Sequence, residues 1–222
     1  MAKLVLVPTP LGNLKDITLR SLEVLKEVNL ILAEDTRQAS KLLKHYGIQT
    51  PCLSHHKFNE HKKVSEICKE IKGGKNIALI SDAGTPGISD PGFLLVRKCI
   101  ENDITVEVLP GPVAFVPALV GSGIPCDRFC FEGFLPNKKG RLKKLEALKN
   151  EKRTMIFYES PFRLVKALDE MANIFGQERR ACVAREISKI HEEYKRGTLK
   201  ELFDYYSEHP PKGEIVIVVE GE

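Results

Sequence analysis

The sequence of 222 residues contains no tryptophan, and no apolar run in it approaches the ~18–20 residues that a membrane-spanning helix needs. Its first ten residues, MAKLVLVPTP, lack the long apolar stretch and small-residue cleavage site of a secretion signal. These absences argue against membrane and secreted proteins and predict a cytoplasmic protein without a membrane partner. The hydrophobic fraction of 42% and charged fraction of 29% are ordinary for a globular protein, and the length allows one large or two small domains.

Paired cysteines and nucleotide-binding fingerprints are also missing. The six cysteines include no C-x-x-C pair, and no second pair accompanies Cys126 and Cys130 at zinc-ligand spacing, so we expect reduced thiols and no metal site. Gly73-Gly74-Lys75 is not part of a phosphate-binding loop, and the G-x-G-x-x-G spacing does not occur, which removes the main support for kinase and dehydrogenase functions. The net charge of +4 permits an anionic partner without requiring one.

The N-terminal half of the sequence alternates short apolar strands with helices. Strands that are apolar on both faces, such as Asn76–Ile80, predict a parallel sheet covered by helices. Beyond the Pro- and Gly-rich stretch Pro110–Pro125, short strands with fewer crossover helices predict a mixed sheet. The expected fold class is therefore α/β, with two α/β domains at residues 1–116 and 117–222.

Unusual loops follow the predicted parallel strands, at the sheet edge where ligands bind in such folds. In SDAGTPGISDPG (Ser81–Gly92), three glycines allow close approach of the backbone to a ligand, and two prolines restrict the loop. Asp82 directly follows the strand, where its carboxylate could accept hydrogen bonds from a ligand amine or hydroxyl. The alternative is a structural turn, which suits Asp90 and Gly92 at the start of the next helix better than it suits Asp82 or Gly84.

Seven motifs occur in one order along the chain: VPTPLGNLKDIT (Val7–Thr18), LAEDTR (Leu32–Arg37), SDAGTPGISDPG, LPGPVA (Leu109–Ala114), FYESPFR (Phe157–Arg163), AREISK (Ala184–Lys189) and KGEIVIV (Lys212–Val218). Together they resemble the tetrapyrrole-methylase-like (class III) AdoMet-dependent methyltransferases, and most closely the branch that acts on small-subunit rRNA. That branch methylates the ribose 2′-hydroxyl of one cytidine in the decoding region of 16S rRNA. The resemblance covers essentially the whole chain.

The resemblance implies that AdoMet binds in a cleft between the two domains, that the protein is a homodimer, and that its partner is 16S rRNA within the small ribosomal subunit. The residues that it predicts as AdoMet contacts are Pro10, Leu11, Asp82, Gly84, Thr85, Ile88, Val113, Ala114, Tyr158, Arg185 and Gly213. The family often has a small hydroxyl residue where this chain has Val113, so a backbone contact is expected there in place of a side-chain hydrogen bond.

Glu34, Asp35 and Arg37 are the candidate catalytic residues, because they lie in a motif of the resemblance and combine carboxylates with a guanidinium. A ribose hydroxyl is a weak nucleophile, so a group that removes or polarises its proton should help methyl transfer. A guanidinium nearby also suits the positioning of a substrate phosphate. The alternative is a cluster at a helix start, where acids are favourable, and the sequence leaves the identity of any general base open.

Two segments are candidates for contact with RNA. His56, Asn59 and Glu60 match the resemblance in a segment with three histidines, for which a solvated loop is the main alternative and a metal site a weaker one. A basic run provides the second set of candidates, with a solvated helix face as its alternative: Lys138, Lys139, Arg141, Lys143 and Lys144. Without tryptophan or interleaved aromatic and basic residues, we expect recognition mostly by RNA shape and phosphate.

Two other functions are compatible with the same scaffold. One is a C-methyltransferase of tetrapyrrole biosynthesis, against which the AEDTR motif and the basic run both argue. The other is a non-catalytic RNA-binding or ribosome-assembly protein, against which the intact cofactor motifs argue.

Overall fold

The structure, a computed structural model, describes most of the chain, with the backbone alone for residues 60–62; the described ranges are 2–56, 60–137 and 139–222. Two of the predicted RNA-binding residues, Asn59 and Lys138, therefore lie outside the described residues. None of the helices in these ranges is long and apolar enough to cross a membrane.

The chain divides into two compact units, Met1–Val113 and Ala114–Glu222, which we call the N-terminal and C-terminal units. The domain limit expected after residue 116 lies inside the first helix of the C-terminal unit, and the limits given for the two domains stay a prediction.

The N-terminal unit is a parallel five-stranded sheet with helices. Its elements are β1 (Lys3–Leu6), α1 (Leu19–Glu27), β2 (Leu30–Ala33), α2 (Thr36–His45), β3 (Cys52–Ser54), α3 (Glu60–Lys72), β4 (Ile77–Ile80), α4 (Phe93–Glu101) and β5 (Thr105–Val108). The strand order is β3-β2-β4-β1-β5, and every neighbouring pair is parallel. The predicted parallel sheet is therefore confirmed.

Both faces of this sheet are buried, because successive side chains of a strand point to opposite faces. Leu4 and Leu6 of β1 pack into one apolar core, whereas Val5 and Val7 pack into a second core on the other face. Such a sheet exposes few polar groups except at its ends, so the loops at the ends of its strands are where ligand-binding side chains can collect.

The C-terminal unit has a mixed sheet, as predicted. Its elements are α5 (Phe115–Ser122), β6 (Phe129–Phe134), α6 (Arg141–Ala147), β7 (Thr154–Glu159), α7 (Leu164–Phe175), β8 (Arg180–Arg185), β9 (Glu193–Thr198), α8 (Leu199–Glu208) and β10 (Ile215–Val219). The order is β6-β7-β10-β8-β9, with β6 and β7 parallel and the other pairs antiparallel. Thr198 and Glu201 cap α8 reciprocally, which stabilises its first turn.

Candidate active site

The loops that follow β1 and β4 are bonded to each other at the carboxyl edge of the N-terminal sheet. The two strands are neighbours, and their pairing extends past their ends: the Thr9 amide donates to the Gly84 carbonyl at 2.9 Å, and the Gly84 amide donates to the Thr9 carbonyl at 2.9 Å. The Thr9 hydroxyl also donates to the Ser81 carbonyl at 3.1 Å. The start of the SDAGTPGISDPG loop is therefore fixed to the loop after β1.

Gly84 brings three of the predicted cofactor loops together. Its φ of +80° lies in the left-handed region, and a Cβ added there would lie 3.2 Å from Leu11 Cδ2 and 3.5 Å from the Pro112 carbonyl oxygen. The Thr85 hydroxyl donates to the same Pro112 oxygen at 2.8 Å. The predicted contacts Leu11, Gly84, Thr85 and Val113 are thus neighbours, and the Thr85 hydroxyl is left mainly as an acceptor for a ligand.

The end of the SDAGTPGISDPG loop serves the fold. Gly92 is the N-cap of α4 with a φ of 138°, and a Cβ there would lie 2.9 Å from Leu79 Cδ2. Ile88, a predicted AdoMet contact earlier in the loop, is 38% exposed and does not pack into the core. The loop therefore divides into a first part at the sheet edge and a last part that starts the next helix.

An acidic group lies at the same edge. Glu34 and Asp35 follow β2, and Asp82 follows the neighbouring strand β4. The Asp35 amide donates to Asp82 Oδ1 at 3.0 Å. The Asp35 carboxylate caps α2 by accepting from the Arg37 amide at 2.8 Å, and it also accepts from Arg37 Nη2 at 2.6 Å. The structure thus gathers the three predicted catalytic residues beside a predicted cofactor residue.

The two acids after β2 have different proton affinities. Hydrogen bonds from Arg37 lower the pKa of Asp35 to about 2. Burial raises the pKa of Glu34, and the negative charges of Asp82 and Asp35 raise it further, while nearby His56 opposes the shift. Glu34 is therefore the better proton acceptor of the two, because a base of higher pKa binds a proton more readily.

Asp82 also has a raised pKa, mainly because partial removal from water disfavours its charged form, although the hydrogen bond from the Asp35 amide lowers it. Since that bond uses Oδ1, the second carboxylate oxygen is available to a ligand amine or hydroxyl. The position of His56 near Glu34 brings the loop after β3 to this edge as well.

Three predicted cofactor residues of the C-terminal unit lie at one end of its sheet. Tyr158 of β7 pairs with Val216 of β10, and Arg185 of β8 pairs with Ile215. Arg185 Nη1 donates to the Lys212 carbonyl at 3.4 Å, directly before Gly213. The fourth predicted cofactor residue of this unit, Ala114, is the N-cap of α5. Pro10, a predicted cofactor residue of the N-terminal unit, is buried.

The basic run is not the uniform charged surface that its sequence implies. Lys139 and Lys143 are exposed, whereas Lys144 forms an ion pair with Glu132. Arg141 is only 4% exposed. Its prediction as an RNA contact is therefore corrected, because a buried guanidinium that is used in ion pairs within the protein cannot meet a phosphate. Glu60 begins α3, where only its backbone is described.

The partners of Arg141 are residues that sequence reasoning missed. Arg141 Nη1 donates to Glu159 Oε2 at 3.1 Å, and Arg141 Nε bonds to Glu170. The signal was present in FYESPFR, where an acid precedes Ser-Pro and an arginine follows four residues later. Within the stretches that the structure describes, no group of three or more His, Cys, Asp or Glu side chains is arranged to hold a metal ion.

Comparisons with known proteins agree on one family. Residues 3–202 match the family described as Tetrapyrrole (Corrin/Porphyrin) Methylases. A protein named ribosomal RNA small subunit methyltransferase I from Synechocystis sp. is 49% identical, over 100% of this chain and 80% of that protein. A protein of the same name from Thermotoga maritima is 46% identical over 100% of both chains.

Among solved structures, the uroporphyrin-III C-methyl transferase from Thermus thermophilus, complexed with S-adenosylhomocysteine, has the same fold. Its TM-score is 0.67 at 16% identity, with 100% of this chain and 98% of that chain covered. The resemblance inferred from the seven motifs is thus confirmed by the family match and by relatives that are nearly half identical over the full length of this chain. We conclude that this chain is a methyltransferase that belongs to the tetrapyrrole (corrin/porphyrin) methylase family.

Proposed function

We propose that this protein transfers a methyl group from AdoMet to the ribose 2′-hydroxyl of a cytidine in 16S rRNA. The observation that supports this most directly is the acidic group at the carboxyl edge of the N-terminal sheet, beside the Gly84 loop. A carboxylate of raised pKa next to a ligand loop is what proton removal from a weakly acidic hydroxyl requires. The names of the relatives favour rRNA as the acceptor.

The residues around Gly84 fit AdoMet as a ligand. Gly84 lets its loop pack closely against Leu11 and Pro112, because a Cβ there would lie 3.2 Å from Leu11 Cδ2, and this packing brings the predicted cofactor contacts together. The exposed carboxylate of Asp82 suits a ligand with an ammonium group and ribose hydroxyls. The AdoMet contacts that the resemblance predicts stay in the proposal on sequence grounds: Pro10, Leu11, Asp82, Gly84, Thr85, Ile88, Val113, Ala114, Tyr158, Arg185 and Gly213.

Bound AdoMet would supply an electrophilic methyl group on a sulfonium. The tasks of the chain are then to align the ribose hydroxyl and to accept its proton. Glu34 is suited to accept the proton, whereas Asp35, with a pKa of about 2, is a poor base at neutral pH. The guanidinium of Arg37, whose side chain is 87% exposed, is fixed by Asp35 at the same edge and can position an RNA phosphate.

The remaining parts of the proposal concern the partner. His56, Lys139 and Lys143 are the proposed RNA contacts for which the structure describes side chains near the acidic group or on the surface. Asn59, Glu60, Lys138 and Lys144 stay in the proposal on sequence grounds. We also propose a homodimer that acts on the small ribosomal subunit in the cytoplasm.

The test is methyl transfer to the proposed acceptor. Purified protein and labelled AdoMet are incubated with small ribosomal subunits from a strain that lacks this enzyme, and modified nucleotides are mapped by mass spectrometry. We expect label on the ribose of one cytidine, and much slower labelling with Glu34→Gln. Label on a base, or transfer to a tetrapyrrole and not to rRNA, would disprove the proposed acceptor. An absence of AdoMet binding would disprove catalysis itself.

A further inference from the structure

A fully exposed aromatic side chain lies in the C-terminal unit. Phe162 is 97% exposed, and it lies in the short turn between β7 and α7. We call residues Ser160, Pro161, Phe162 and Arg163 the aromatic turn. Single exposed apolar side chains are common on protein surfaces, so the case for a function of Phe162 depends on the turn that presents it and on its neighbours.

The aromatic turn is held rigidly by the buried side chain of Glu159. Glu159 is 2% exposed, and its Oε1 accepts from the Ser160 amide at 2.7 Å and pairs with Arg163 Nη2 at 2.8 Å. Its Oε2 accepts from Arg141 Nη1 at 3.1 Å. The Arg163 amide closes the turn by donating to the Ser160 carbonyl at 3.0 Å. Phe162 is therefore presented by a preorganised backbone, which lowers the entropy lost when a ligand binds to it.

Positive side chains lie beside this turn. β6 and β7 are parallel neighbours, so the segments after both strands are at the same sheet edge. Arg163 bonds to Asn137, and Arg141 bonds to Glu159, so the chain is tied to the aromatic turn two residues before Lys139 and two residues after it. Two residues of chain reach about 7 Å, which keeps Lys139 close to the aromatic turn.

Lys143 is the next exposed lysine along the chain. It lies two residues after the buried Arg141 on α6, which places it near the opposite side of the helix, and it is exposed. Neither Lys139 nor Lys143 is paired with a carboxylate among the residues that the structure describes.

We infer that the aromatic turn is an RNA-binding site in which Phe162 stacks on an unpaired base while Lys139 and Lys143 contact the adjoining phosphates. An exposed aromatic ring flanked by cations matches single-stranded nucleic acid, in which bases present flat faces and phosphates present negative charge. The inference rests on the proposed function for its choice of RNA. It adds base stacking to the expected recognition of RNA, which is mostly by shape and phosphate.

A second copy of this chain is a weaker candidate for the occupant of this site. The core of a protein–protein interface is typically depleted of charged residues, and lysine in particular is rare there, whereas here the ring is flanked by Lys139 and Lys143. Burial of two unpaired ammonium groups against an identical surface would also be unfavourable, since like charges would face each other near the symmetry axis. RNA neutralises the same groups.

The absence of tryptophan provides a direct test. In Phe162→Trp the new indole is the single tryptophan of the chain, so its fluorescence reports on this position alone. A short single-stranded RNA should quench the emission, because stacking on a base quenches indole, and the RNA should leave Ile100→Trp unaffected. Ile100 is the matched control, since it is 62% exposed on α4. Phe162→Ala should weaken binding of this RNA by roughly tenfold and leave the AdoMet dissociation constant unchanged.

Three results would overturn the inference. The emission of Phe162→Trp could stay constant while anisotropy of labelled RNA shows binding. The emission could change with protein concentration in the absence of RNA, which would assign Phe162 to a contact between copies. Phe162→Ala could bind the RNA as tightly as wild type. If wild-type protein methylates rRNA in any of these cases, the proposed function survives and the aromatic turn alone is excluded. If wild-type protein neither methylates rRNA nor binds the short RNA, both proposals fail.

Discussion

Each unit holds a cluster of charged side chains at the carboxyl end of a parallel strand, and the two clusters differ in charge balance and burial. The N-terminal cluster has three carboxylates and one guanidinium: Glu34, Asp35, Asp82 and Arg37. The C-terminal cluster has two carboxylates and two guanidiniums: Glu159, Glu170, Arg141 and Arg163. The side chain of Arg37 is 87% exposed, whereas that of Arg141 is 4% exposed.

This difference indicates that the N-terminal cluster is reactive, whereas the C-terminal cluster stabilises the fold. Balanced charges in the interior satisfy each other, and their effect is to fix the backbone that they join. Partial burial raises the pKa of Glu34, and the excess of carboxylates around it raises the pKa further, which suits a group that takes up a proton. Substitutions in the first cluster should therefore change chemistry, and substitutions in the second should change stability.

The largest effect is expected from Glu34→Gln. Loss of a general base should lower kcat by about 10²- to 10⁴-fold while the AdoMet dissociation constant changes little. Wild-type activity should fall as the pH drops through the raised pKa of Glu34, because the carboxyl group must be ionised to accept a proton. Single-turnover rates measured against pH would show this acidic limb, and the residual activity of the variant should lack it.

Stability provides the control for the same variant. A raised pKa means that folding disfavours the charged carboxylate, so its ionisation costs stability as the pH rises through the unfolded and then the folded pKa. At neutral pH, Glu34→Gln should therefore be at least as stable as wild type. A lower melting temperature would mean that Glu34 stabilises the fold, which would contradict the expectation that only the C-terminal cluster does so.

Arg141→Met should produce the next largest effect, on folding. Removal of Arg141 leaves the buried Glu159 with Arg163 as its ion-pair partner and should cost about 3 kcal/mol, or about 10 °C in Tm. Thermal unfolding by circular dichroism measures this loss. Lys200→Met, which breaks the surface pair with Asp204, should change Tm much less. Similar losses in both variants would show that burial does not set the importance of these pairs.

Asp82→Ala should weaken AdoMet binding by about tenfold to a hundredfold, as expected for a lost hydrogen bond between charged groups. Asp82→Asn keeps an acceptor for the Asp35 amide, so its affinity for AdoMet should lie between those of Asp82→Ala and wild type. Titration calorimetry would measure all three affinities, with Lys143→Ala as a control that leaves cofactor binding unchanged. Equal effects of Asp82→Ala and Lys143→Ala would remove Asp82 from the site.

The smallest effect is expected for the lysines of α6. Lys143→Ala should reduce the slope of log K against log salt for RNA binding by about 1, because one phosphate contact is lost. Lys144→Ala should change it less, since Lys144 is paired with Glu132. Filter binding over a range of salt concentrations would compare them. Equal slopes for the two variants would mean that the ion pair does not remove Lys144 from the RNA surface.

Much of the N-terminal unit could be predicted from sequence, because short stretches of sequence determine its strands, helix starts and loops. Apolar strands, helix caps and glycine-rich loops follow one another, and the parallel topology then brings the strand ends to one edge. Asp82 was predicted to be functional from its place after a strand, and Glu34 and Asp35 from the motif that contains them; the structure brings all three to one edge. Sequence reasoning could not assign their pKa shifts, which depend on burial and on charges from different loops.

The parts that sequence did not predict depend on distant contacts. β3 and β9 have no strong apolar pattern, and both are edge strands, which need to bury only one side and are stabilised by their neighbours. The burial of Arg141 depends on partners 18 and 29 residues away, so a basic run gives no sign of it. Exposure of Phe162 is likewise a property of the folded turn.

The two hydrogen bonds between Thr9 and Gly84 have a consequence for how the protein opens. Both amides are donors in one pair of bonds, so solvent reaches them only when the loops after β1 and β4 separate. Their hydrogen–deuterium exchange should therefore follow one opening event, with a single free energy for both sites. A cofactor that binds only when the Thr9–Gly84 hydrogen bonds are formed would slow the exchange of both amides by the same factor. The exchange rates of these two amides would therefore report cofactor occupancy.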